Sequence, residues 1–108
     1  MEDEMAKMLV IYRKPADPAA FDRHYFDVHV PLAKRLPGLR GYETSKGPIT
    51  LLSPGNTPYF VATLHFDSVA AIREAFASEA GKACAADRRV FAPNDDDCTM
   101  LLFDETAV

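Results

Sequence analysis

Residues 59 to 66, YFVATLHF, constrain the fold more than any other stretch of the sequence. The run is rich in β-branched and aromatic residues and is bounded by turn punctuation, Asn-Thr-Pro before it and Asp-Ser after it, so it reads as a strand. Phe60, Ala62, Leu64 and Phe66 fall on one face, and Tyr59, Val61, Thr63 and His65 on the other. Both faces are largely apolar. A sheet covered on one side only alternates apolar with polar residues, so a sheet built on this strand needs cover on both sides.

The rest of the chain supplies cover for one side. KMLVIYRK (7 to 14) reads as a first strand, with Met8, Val10 and Tyr12 on one face and Leu9, Ile11 and Arg13 on the other. Asp17 is a suitable N-cap and Pro18 a suitable first residue for a helix running from 18 to about 30. Phe21, Tyr25, Val28 and Leu32 form its apolar stripe. Pro31 is expected to end or kink that helix near Val30, because its ring crowds the carbonyl of Asp27. A short turn, PLAKRL, follows. LRGYETSKG (39 to 47) begins as a strand and decays into a polar tail, and LLSPGNTP (51 to 58) is a loop. Asp67 or Ser68 caps a helix carrying Val69, Ile72 and Phe76. A second helical piece spans 78 to 92, with a bend expected near Gly81, and CTMLLFD (98 to 104) is the last strand.

The order strand, helix, strand, strand, helix, strand fits a ferredoxin-like α+β sandwich, an antiparallel four-stranded sheet with both helices on one face. At 108 residues the chain makes one domain, taken here as 1–108, and one core. The uncovered face of the sheet is then apolar, and a second copy of the chain packed sheet to sheet is the expected cover.

Composition narrows the function classes. A formal net charge of −4 with no basic run disfavours nucleic acid and anionic membrane as partners. No apolar stretch approaches the roughly 20 residues that span a bilayer, and the acidic start MEDEMAKM lacks the basic and apolar regions of a signal peptide, so a cytoplasmic location is expected. The two cysteines, Cys84 and Cys98, stand in no zinc-like spacing and read as reduced, buried thiols. No nucleophile-elbow or phosphate-loop motif is present, which favours proton transfer over covalent catalysis.

FDRHYFDVHVPLAKRLPGLRGYE (21 to 43) resembles the signature segment of the EthD family, named for a protein of ethyl tert-butyl ether degradation. The resemblance extends from about Met8 to Phe103. It implies a dimeric α+β barrel, two ferredoxin-like subunits with a pocket in each half, and no metal or organic cofactor that attaches to particular residues. It implies a small cofactor-independent enzyme acting on a hydrophobic oxygenated compound, aromatic or lactone-like, in the manner of isomerases, dehydratases or cofactor-free oxidoreductases, as in a catabolic pathway. The alternative is a non-catalytic ligand-binding or accessory protein that supports a partner oxygenase.

Within this segment HYFDVHVP (24 to 31) holds the chemistry. On an α-helical wheel His24 and His29 flank the apolar stripe on opposite sides, so they form no natural metal pair. His29 follows Tyr25 by one turn and precedes the break at Pro31. Free carbonyls there favour its protonation, and burial opposes it. It is either a general acid/base with Tyr25 as partner or a helix-end histidine satisfying backbone carbonyls. His24 pairs with Asp27 on the surface, or is oriented by it as a base. Tyr12, Tyr42, Arg40 and His65 are candidate substrate-binding groups. Arg40 and Tyr42 share a face of the second strand, and His65 stands inside the barrel if its face lines it.

Overall fold

The computed structural model describes residues 5–108, and the first part of the acidic N-terminal segment lies outside the described residues. Four strands form one antiparallel sheet in the order β2-β3-β1-β4. β1 spans Met5–Tyr12, β2 Gly41–Thr44, β3 Phe60–Phe66 and β4 Cys98–Glu105. Three helical regions complete the fold: α1 (Pro18–His24) with its continuation through α2 (Val30–Ala33) between β1 and β2, then α3 (Val69–Ala77) and α4 (Glu79–Phe91) between β3 and β4. This is the ferredoxin-like arrangement, with both helical layers on one face of the sheet.

The register fixes which residues face the helices. Val10 pairs with Ala62 and Met100, and Met8 with Leu64 and Leu102. Even-numbered residues of β1 and β3 are buried and odd-numbered ones are only partly so. Beneath the helices Tyr12, Phe21, Tyr25, Phe60 and Phe91 build an aromatic cluster, with Tyr25 and Phe60 centroids 4.6 Å apart in an edge-to-face contact. The opposite face carries Leu9, Ile11 and Val61, partly exposed, and Leu101 and Phe103, exposed in the single chain, as are Met100 and Leu102 on the other side of the edge strand β4.

Pro31 does not end the first helix. α1 (Pro18–His24) passes into a π-helical segment, Tyr25–His29, and then α2 (Val30–Ala33), with right-handed helical dihedrals throughout. The Val30 N–H bonds to the Tyr25 carbonyl, five residues back. A proline in an α-helix crowds the carbonyl four residues before it, and a widened turn just upstream makes room without breaking the helix. The register shifts with it. Phe21, Tyr25 and His29 are buried, whereas Val28, expected on the stripe, is 41% exposed.

The second helical piece starts where expected, and α4 runs through Gly81 from Glu79 to Phe91 without the bend expected there. Ser78 is extended and caps α4, its Oγ accepting from the Gly81 N–H at 3.2 Å. Gly81 is instead a point of close approach, since a Cβ there would overlap the Phe76 backbone and the Ala75 carbonyl.

Candidate functional site

The π-turn determines where His29 points. Five residues along a regular α-helix separate two side chains by about 140°, which is why His24 and His29 read as lying on opposite flanks. The wider turn brings both to one carboxylate on the neighbouring helix. Asp87 Oδ1 lies 2.8 Å from His24 Nε2, and its Oδ2 lies 2.9 Å from His29 Nδ1. The expected His24–Asp27 pair is replaced by this one, because Asp27 stays on the exposed side of the turn.

A carboxylate accepts, so His29 donates its Nδ1–H and carries its lone pair on Nε2 when neutral. Burial lowers the imidazole's pKa, and the hydrogen bond and charge of Asp87 pull against it without reversing the direction. His29 is therefore a neutral base near pH 7, held in one tautomer.

His29 lines a cavity of about 270 Å³ between the sheet and the helices. Its floor is Met8, Val10 and Leu64, and besides His29 its polar groups include Tyr25, Tyr42, Arg88 and Arg89. Tyr42 reaches it because its partner across the sheet, Leu64, faces the helices. The Tyr25 and Tyr42 hydroxyls are 2.6 Å apart. Burial raises the Tyr25 phenol well above its ordinary range and pushes that of Tyr42 up to about 12. Both are thus protonated at neutral pH. One donates to the other, and the second proton remains to be given to a ligand. Tyr12 also lines the cavity, its pKa likewise raised by burial.

Of the seven residues singled out from sequence, His29, Tyr25, Tyr42 and Tyr12 meet at this cavity. His24 stands behind Asp87, its ring packed on Phe91 at 5.5 Å. Arg40 and His65 are elsewhere. Arg40 is in solvent, forked onto Asp67 at 2.9 and 3.1 Å, because it precedes β2 rather than lying in it. His65 is on the far face of the sheet, 2.7 Å from Glu43. Asp87 and Arg88 were not identified from sequence. The available signal was their place in ACAADRRVF, where Arg88 falls four residues after Cys84 and three before Phe91, on the apolar side of α4.

The EthD domain matches residues 13–95. An uncharacterized 11.0 kDa protein of the thcB-thcC intergenic region of Rhodococcus erythropolis is 41% identical over 106 residues, 96% of this chain and 98% of that one. An ethyl tert-butyl ether degradation family protein from Bacillus halodurans has a similar structure, with a TM-score of 0.83 at 28% identity over 94% of this chain and 99% of that one. The fold alone is shared with Passiflora edulis hydroxynitrile lyase, at a TM-score of 0.71 and 17% identity over 99% of this chain and 98% of that one. It is shared too with Streptomyces nogalater SnoaB, described as a cofactor-independent oxygenase, and with proteins described as dimeric and ferredoxin-like.

Proposed function

Since the chain belongs to the EthD family, we propose that it is a small cofactor-independent enzyme that moves a proton on a hydrophobic oxygenated compound, aromatic or lactone-like. The observation that carries this reading is the Asp87–His29 bond, which leaves Nε2 as the basic nitrogen of a histidine lining an apolar cavity. A carbonyl or phenolic oxygen seated on the Tyr25–Tyr42 pair receives the spare phenol proton as a hydrogen bond. His29 Nε2 removes a proton from the adjacent carbon or oxygen. Negative charge that develops on the oxygen is stabilised by the phenol, and the imidazolium is stabilised by Asp87. A protein of the same fold, Streptomyces nogalater SnoaB, is described as a cofactor-independent oxygenase, which supports a reading without a cofactor.

The working unit is a homodimer through the open sheet face, where Leu101 and Phe103 are 43% and 39% exposed in the single chain. Fold relatives described as dimeric support this.

The test is proton exchange. Cyclic ketones, lactones and hydroxyaryl ketones are incubated with the protein in D2O, and deuterium uptake is read by mass spectrometry. At least one class is expected to exchange, and His29→Ala is expected to slow it by ~10²–10⁴-fold, the usual worth of a general base. No exchange in any class, or equal exchange by His29→Ala, contradicts the reading.

A further inference from the structure

The wall of the cavity on the α4 side carries a guanidinium. Arg88 is only partly exposed and lines the cavity. Its Nη1 donates to the Ala92 carbonyl at 2.8 Å, near the C-terminal end of α4, where a cation is favoured. That contact is an ordinary helix-end cap, but it occupies one of the five N–H donors of a guanidinium. Among the described residues, ion pairs are made by Lys7, Arg13, Arg40, Lys82 and the histidines, and Arg88 is in none of them. Its acidic neighbour in sequence, Asp87, gives one oxygen to each of two histidines. The charge of Arg88 reaches the interior, where it works against the upward push that burial gives the Tyr12 phenol and the Cys98 thiol. Arg89, an exposed residue, adds a second cation to the lining.

A cation with no carboxylate partner among the described residues, on the wall of an apolar cavity, is matched by a ligand that brings one. A guanidinium fork fits a carboxylate in two parallel hydrogen bonds. The volume of about 270 Å³ falls just under the ~300–1,000 Å³ of sites for drug-sized ligands, which suits a single-ring compound. We propose that the cavity selects small apolar carboxylic acids, with Arg88 holding the carboxylate and the apolar body lying over Met8, Val10 and Leu64 toward the Tyr25–Tyr42 pair. This rests on the proposed function for the location of the site and adds the substrate class to it.

The test compares acids with their neutral isosteres on the full chain: benzoate with benzamide, phenylacetate with phenylacetamide, and 4-hydroxyphenylacetate with its amide, each titrated by calorimetry. In at least one pair the acid is expected to bind about tenfold or more tightly than the amide, the usual worth of a charge-assisted bond. Arg88→Gln is expected to remove that preference while amide affinity changes less than about twofold, and Arg88→Lys to keep part of it. A mere helix cap would weaken both members of a pair alike. Should Arg88→Gln not fold, Arg88→Lys and the wild-type comparison decide. Equal affinities, failure of every pair to bind, or an acid preference undiminished in Arg88→Gln (or in Arg88→Lys, should Arg88→Gln not fold) overturns the proposal. Binding is read without turnover, so the two readings fail separately. Exchange lost in His29→Ala without an acid preference leaves the proposed function standing. An acid preference with exchange unaffected by His29→Ala does the reverse.

Discussion

His29 is held between two opposed effects, and their balance sets its chemistry. Burial depresses its pKa below 6.5, and Asp87 raises it part of the way back. The base form therefore persists below pH 6.5, and His29-dependent exchange is expected to fall only at a midpoint lower than that of free imidazole. Stability has the same sign. Between the folded and unfolded values the unfolded chain binds more protons, so His29's contribution is whole above about 6.5 and is lost as pH falls through the lower folded value. Asp87→Asn removes the partner that raises the pKa, so the midpoint of His29, read from its ring protons by NMR, is expected to move lower still. A midpoint that rises would contradict the assignment. Tyr42→Phe leaves Tyr25 without its 2.6 Å partner, and a five- to hundredfold loss of exchange, roughly 1–3 kcal/mol, is expected with the fold retained. The Tyr25–His29 contact was legible in sequence because the two stand four apart on one helix. Asp87 was not, because it lies 58 residues from His29 and meets it only through the packing of α4.

At the scale of elements, the strands and their facing were legible and the first helix was only partly so. Alternation in β1 and β3 places Met8, Val10, Ala62 and Leu64 toward the helices as expected. Pro31 read as a stop or a kink because its α-helical penalty is clear from sequence. Its relief by a π-turn depends on what the turn gains by packing. That turn buries the His29 ring against Tyr25 and Phe91, with centroids 5.2 and 4.8 Å away, and the resulting register exposes Val28. Gly81 read as a bend, but its role is to let α4 approach the end of α3. Gly81→Ala is expected to cost about 3 kcal/mol, the upper part of the overpacking range. That corresponds to a fall in Tm of roughly 10–20 °C, measurable by thermal circular dichroism. A change of less than about 2 °C would show that the helices part without strain.

For the whole molecule, the apolar content of both sheet faces already demanded two covers, and the helices provide one. Leu101→Glu places a charge in the middle of the other, opposite Leu9 in the register. It is expected to convert a dimer to a folded monomer in size-exclusion chromatography with light scattering. A variant that remains dimeric would place the interface elsewhere. Among the described residues no helix is long and apolar enough to cross a membrane. The cavity itself was not legible, because it is formed by groups from all four strands, the π-turn, α2, α3 and α4 that only the tertiary fold brings together. In the proposed reading this cavity is where ligand meets base. The chain has three histidines, so their ring protons can be followed individually by NMR during addition of phenols, lactones and aromatic acids. The expected result is a saturable shift of His29 with at least one ligand class, while His65, on the far face of the sheet, stays still. Saturable binding that leaves His29 unmoved would contradict the account and make His29 a structural group.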